Sequence, residues 1–174
     1  QGGEMIRLAR KYHMKIRASL QCAFGCVYEG LIPEERVVNM AKEFMSFGID
    51  TLSLADTTGM GNPLSIKKIL EKLMPETEDI PVALHLHDTR GLGLANVMAA
   101  MECGITHFDT ALAGMGGCPF VTAAAGNIAT EDTAYLMEAM NIETGIDISK
   151  VAKCSKRLAD FLGKAFSGKM YRLG

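Results

Sequence analysis

The sequence has no tryptophan, few aromatics of any kind and no excess of either charge. Its 18 Lys and Arg stand against 20 Asp and Glu, a net charge of −2 over 174 residues. That balance excludes a basic surface for nucleic acid and a polybasic membrane anchor. No apolar run approaches the roughly 20 residues that span a bilayer. The start, Gln1-Gly2-Gly3-Glu4, has neither a signal-peptide pattern nor an initiator methionine, so the expectation is a chain that begins inside a longer product.

Other signatures are incomplete. The five cysteines, Cys22, Cys26, Cys103, Cys118 and Cys154, are odd in number and contain no C-x2-C pair. This argues against a disulfide or zinc framework and for a reducing, cytoplasmic compartment. Gly59-x-Gly61 and Gly91-x-Gly93 stop short of the G-x-G-x-x-G dinucleotide fingerprint.

What is present is a globular composition, 48% hydrophobic, long enough for one core. Apolar runs that read as strands begin at Lys15, Thr51, Val82 and Ile105, ending near Cys22, Asp56, His87 and Leu112. Between and beyond them, apolar residues recur at helical spacing in 4–12, 33–48, 63–74, 95–104, 127–140 and 148–167. Strand–helix alternation of this kind predicts a parallel α/β sheet with four βα units. An eight-unit barrel needs roughly 250 residues. The chain is therefore a small open sheet or half of a barrel.

The polar residues gather at the carboxyl ends of the strands, where both α/β architectures place their sites. Asp56 closes one strand. Another runs Val82-Ala83-Leu84-His85-Leu86-His87-Asp88, and its i, i+2 spacing turns His85 and His87 to one face. Two imidazoles on a rigid face are ready ligands for a divalent metal. The same spacing also fits a pair of hydrogen-bonded structural histidines.

Four ordered stretches, Ser53-Leu-Ala-Asp-Thr57, His85-Leu-His-Asp-Thr89, Gly114-Met-Gly-Gly-Cys-Pro-Phe120 and Gly126-Asn-Ile-Ala-Thr-Glu-Asp132, together resemble the C-terminal half of the 3-hydroxy-3-methylglutaryl-CoA lyases. Cys22-Ala-Phe-Gly-Cys26 with Tyr28-Glu-Gly30 extends the likeness over nearly the whole chain. These lyases belong to the metal-dependent TIM-barrel superfamily that includes the Claisen-type synthases. The Gly-Gly-Cys-Pro-Phe loop selects the lyases, because the synthases usually carry a Gly-Glu-Arg-type loop there. The resemblance implies a single domain over residues 1–174, holding strands five to eight of a (β/α) barrel with their helices and a C-terminal helix. The family's first strand, with its Asp-Arg-Glu set, has no match. The expectation is a half barrel with two open edges and an uncovered apolar face, which would form a homo-oligomer or pair with an N-terminal half.

The implied activity is metal-dependent cleavage of 3-hydroxy-3-methylglutaryl-CoA to acetyl-CoA and acetoacetate, an acyl-CoA substrate being the small-molecule partner. By resemblance His85, His87 and Asn127 are metal ligands, a mixed set that suits Mg²⁺ or Mn²⁺. Asn127 also fits the N-cap of a helix. Cys118 is the candidate acid for the enolate carbon, in a loop whose Gly116 and Gly117 can close over substrate. Asp56 either assists deprotonation of the alcohol, holds the second nitrogen of a ligand, or caps its loop. Ser53 is a weaker candidate for substrate binding. Glu131 and Asp88 are expected to support the metal site from behind, Asp132 sits in a first helical turn, and Arg90 orders a loop. Two alternatives remain: a Claisen-type synthase of the isopropylmalate or homocitrate kind, and a non-catalytic half-barrel assembly module.

Overall fold

A computed structural model of the chain describes residues 2–117 and 126–173. After helix α1 (Gly2–Lys11) come β1 (Arg17–Leu20), α2 (Glu34–Ser46), β2 (Thr51–Ala55), α3 (Pro63–Leu73), β3 (Val82–His85), α4 (Gly93–Glu102) and β4 (His107–Asp109). Two helices close the chain, α5 (Thr130–Ala139) and α6 (Ile148–Leu162). Local chemistry explains several boundaries. Asn62 caps α3 by accepting from the Leu64 and Ser65 amides, while the Ser65 hydroxyl answers the Asn62 amide, and Pro63 opens the helix without losing a needed donor. Gly163, at φ +57°, ends α6 in the left-handed cap conformation. That stop comes before the expected limit at Ser167.

The four strands are parallel and lie in chain order, β1-β2-β3-β4. That order separates the two architectures left open by the sequence. A doubly wound sheet reverses strand order at a switch point, so its helices cover both faces. Right-handed crossovers that all step the same way put every helix on one face, as in a barrel wall. The chain is therefore a four-strand segment of a (β/α) barrel.

The register sharpens this. Leu20, Leu54, Leu84 and Phe108 stand in one row across the sheet. They pack with Val37, Val38, Ile66, Ile69, Leu70 and Val97 from the covering helices into the main core. The alternate residues form the other face: Arg17 beside Thr51, then Ser19, Ser53, Ala83 and His107 in a row, then Ala55, His85 and Asp109. The uncovered face is polar and small-sided, which corrects the expectation of an apolar one. Inward residues of a half barrel face the barrel lumen, and here they are chosen for hydrogen bonding rather than for packing.

All four strands are shorter than expected, β1 covering Arg17–Leu20 alone and β2 ending at Ala55. β3 ends at His85, and His87 instead makes an antiparallel bridge with Asn127. β4 spans three residues, after which Ala111 bridges Ala129 in parallel. Those bridges hold 127–129 extended, so α5 starts at Thr130 rather than at Asn127.

Leu84 is fully buried at the centre of the sheet's core face. Leu84→Ala is expected to cost about 2–5 kcal/mol in urea-induced unfolding, the range for a cavity left in a packed core.

Candidate functional site

The site lies at the carboxyl ends of β2, β3 and β4. His85 points from the end of β3 onto the open face. His87 reaches the same place because its bridge to Asn127 continues the extended backbone past the strand. The rings face each other with centroids 5.3 Å apart, and the two Nε2 atoms approach to 3.3 Å. His87 is buried, and burial, with the second imidazole close by, pushes its pKa below the usual histidine range. Its ring is neutral near pH 7, the form that can act as a ligand.

Asn127 completes the cluster. Its Nδ2 donates to the Met115 carbonyl at 2.8 Å, and its Oδ1 is buried with no hydrogen-bond partner. A buried amide oxygen left unpaired is costly unless something occupies the position it faces. The helix-cap alternative for Asn127 is not realised, because Ala129 is the N-cap residue of α5 and makes no side-chain cap. Gly116 backs the same amide: at φ +134°, a Cβ there would strike Asn127 Nδ2. Gly117 follows it on the exposed loop. Cys118 lies outside the described residues.

Two imidazoles and an amide oxygen are donors that a divalent cation of the Mg²⁺ or Mn²⁺ kind accepts. Among the described residues no three His, Cys, Asp or Glu side chains gather as a metal site.

Asp56 takes another place. It is fully buried, and its Oδ1 accepts from the Gly61 amide at 3.0 Å while Oδ2 has no partner. Burial outweighs that amide and holds the carboxyl above the usual aspartate range. It does not hold the second nitrogen of either histidine. That nitrogen in His85, Nδ1, faces Asp109 Oδ2 at 3.3 Å, and in His87 it has no partner. The loop-cap role of Asp56 is the one the hydrogen bonds describe.

The remaining candidates act at one remove. Ser53 is buried on the open face, where its Oγ accepts from Arg17 Nη2 at 2.9 Å. Glu131, fully buried in the first turn of α5, accepts from the Ala113 amide at 3.1 and 3.2 Å and touches no proposed ligand. It fixes Ala113, at φ +56°, and through it the loop carrying Met115 and Gly116. Asp88 Oδ1 accepts from Gly93 N at 2.8 Å, ordering the turn between His87 and α4. Arg90 donates to the Thr58 and Gly59 carbonyls, tying that turn to the loop after β2. Asp132 accepts from the Lys169 and Met170 amides, which folds the C-terminal segment back toward the site.

Sequence reasoning missed Arg17 and Asp109. Neither sits in a recognisable motif, but both share the two-residue phase of Ser19 and His107 on their own strands, and that phase was the available signal.

The HMGL-like family model matches residues 2–158. The chain belongs to the HMGL-like family. It is 41% identical over 156 residues to the hydroxymethylglutaryl-CoA lyase YngG of Bacillus subtilis, covering 90% of this chain and 52% of that protein. The crystal structure of hydroxymethylglutaryl-CoA lyase from Pseudomonas aeruginosa superposes with a TM-score of 0.93 at 33% identity, covering 98% of this chain and 57% of that one. An HMG-CoA lyase from Acinetobacter baumannii, in complex with coenzyme A and 3-methylmalate, gives 0.92 at 37% identity, with coverage of 99% and 56%. The chain thus spans about half the length of the relatives it matches. Relatives named as cytoplasmic and as mitochondrial both occur, so family membership does not fix the compartment. Among the described residues no helix is long and apolar enough to cross a membrane.

Asp56 gives a stability test whose sign is fixed by burial. A carboxyl with a raised folded pKa is unpenalised below its unfolded pKa, and stability is lost as pH rises through the folded value. Asp56→Asn keeps an acceptor for Gly61 and removes the buried charge. It is expected to raise the urea midpoint at pH 7 and to match the unsubstituted chain below about pH 4. A variant less stable at pH 7 would contradict this.

Proposed function

We propose that this chain supplies the metal-binding and thiol-bearing half of a carbon–carbon lyase that cleaves 3-hydroxy-3-methylglutaryl-CoA to acetyl-CoA and acetoacetate. The observation that carries the proposal is the convergence of His85 Nε2 and His87 Nε2 at 3.3 Å beside a backbone partner, Asn127, whose buried Oδ1 lacks a donor. Family membership and the coenzyme A complex of a relative support the reaction class and the acyl-CoA substrate.

In this reading His85, His87 and Asn127 are the protein's ligands to one divalent cation, Mg²⁺ or Mn²⁺. Once bound, it supplies Lewis acidity toward the substrate's tertiary alcohol. The chain's own groups handle the protons. The alcohol gives its proton to a base, and its oxygen electrons form the ketone of acetoacetate as the adjacent carbon–carbon bond breaks. The bond pair leaves on the acetyl-CoA carbon as an enolate, and the Cys118 thiol returns a proton to that carbon. Asp56, its basicity raised by burial and its Oδ2 unpartnered, is the proposed base. Gly116 and Gly117 let the loop approach the substrate and exclude water, and Ser53 lines the floor. Glu131 and Asp88 support the site through the backbone they hold. Among the described residues β1 and β4 are the edge strands of the sheet. The active species proposed is therefore an assembly that closes the barrel, through a second copy or an N-terminal half.

Two measurements test the reading. The chain is expected to bind Mn²⁺ in a calorimetric titration, and His85→Ala or His87→Ala to weaken that binding at least ten-fold. Unchanged affinity in both variants would remove the ligand assignment. In the closed-barrel enzyme, Cys118→Ser is expected to lower kcat by about 10²–10⁴, the contribution of a positioned acid. A variant that releases acetoacetate at the full rate would remove Cys118 from the mechanism.

A further inference from the structure

Beyond the proposed ligands, Arg17, Ser53 and Asp109 form a hydrogen-bonded polar group on the open face. The Arg17 guanidinium forks onto both oxygens of Asp109, Nη1 to Oδ1 at 2.9 Å and Nη2 to Oδ2 at 2.6 Å. Nη2 also donates to Ser53 Oγ at 2.9 Å. The same Asp109 Oδ2 lies 3.3 Å from His85 Nδ1. Register makes this contact: Asp109 on β4 stands directly opposite His85 on β3. Arg17, lower on β1, reaches across the concave face to the far edge strand.

The geometry points to Asp109 as the positioning residue that keeps the proton of His85 on Nδ1, with Arg17 and Ser53 holding the carboxylate. Nε2 of His85 then presents its lone pair at the metal position. A carboxylate beside one imidazole nitrogen favours an N–H there and leaves the other nitrogen bare, which fixes both tautomer and ring orientation. In that tautomer the bare Nε2 of His85 is the acceptor, and His87 Nε2 the donor, of their 3.3 Å contact.

This ordering explains a second observation. With its proton on Nε2, His87 has a bare Nδ1, and that is the buried nitrogen without a partner. Were the proton of His85 on Nε2 instead, two N–H groups could oppose each other at 3.3 Å, while Asp109 faced a lone pair on Nδ1. Arg17 contributes geometry as well as charge. A planar fork engages both carboxylate oxygens and stops the Asp109 side chain from rotating away. The inference deepens the metal reading and depends on it for its consequence, whereas the tautomer itself does not.

The test uses the full chain with ¹⁵N-labelled histidine, metal-free and at a pH where both rings are neutral. Long-range ¹H–¹⁵N correlation spectra report which nitrogen carries each proton, and the signals lost in His85→Asn assign the residue. The expected result is His85 protonated on Nδ1. Asp109→Asn, with its amide oxygen kept by Arg17, turns its NH₂ toward Nδ1 and is expected to move the proton to Nε2. Mn²⁺ binding by the same variant should weaken about ten- to a hundred-fold, the cost of losing such an outer partner. Asp109→Ala, expected to shift both readouts the same way, serves if the Asn variant does not fold. Arg17→Lys, which keeps the charge without the fork, is expected to give a smaller loss. An Nε2–H form of His85 in the unsubstituted chain would overturn the inference. So would an Asp109 variant that keeps Nδ1–H and binds Mn²⁺ within twofold. An unsubstituted chain that binds no Mn²⁺ would instead overturn the metal reading, and the spectra would still decide the role of Asp109.

Discussion

Strand alternation governs this molecule, because the four strands run in phase. Each turns one set of side chains toward the helices and the other toward the open face, and parallel register aligns those sets across the sheet. Leu20, Leu54, Leu84 and Phe108 fall on the covered side as one row. Arg17, Ser53, His85 and Asp109 fall on the other. A one-residue slip of β3 would send His85 into the apolar layer and Leu84 to the open face. The helix-side core therefore does more than stabilise: it holds the register that makes the polar face a site.

Above the sheet, the site depends on two extended segments that leave the strands. His87 is beyond β3 and Asn127 is before α5, and their bridge brings the two together. The loop from Ala113 to Met115 is held from below by Glu131 and fixes the Asn127 amide through the Met115 carbonyl. A buried carboxylate in the helical first turn is thus a foundation for an exposed loop. Its oxygens, together with the Ser155 hydroxyl, accept the Ala113 main-chain N–H.

Much of this was legible in the sequence. Four apolar runs separated by helical periodicity predicted four parallel units, and the polar residues at the run ends marked the end of the sheet where the histidine rings meet. The i, i+2 histidines read as a pair, and their rings do meet. What escaped was local. Nothing in the sequence between Leu86 and Thr130 shows that His87 and Asn127 pair as a bridge, so the strand was drawn too long and the helix too early. Asp56 sits at a strand end like the histidines, and the bond from the Gly61 amide to its Oδ1 was not visible in the sequence. The open face of a half barrel was expected to be apolar because strands in α/β proteins usually are. Arg17, Ser19, Ser53 and Asp109 show that the alternation within each short strand carried the contrary information.

The Arg17–Asp109 fork joins these two levels. It spans the sheet from one edge strand to the other, and such a tie between half-exposed groups contributes little to stability by itself. Its position matters more than its energy. Asp109 shares one oxygen between the guanidinium and His85, so the curvature that brings β1 toward β4 is coupled to the orientation of the imidazole. Closing the barrel would add walls around this group and lower the local dielectric, strengthening each of its contacts. On the proposed reading, the histidine pair and its Asp109 support are already aligned within these four strands. A proposed closing half would then have to exclude water and complete the donor set.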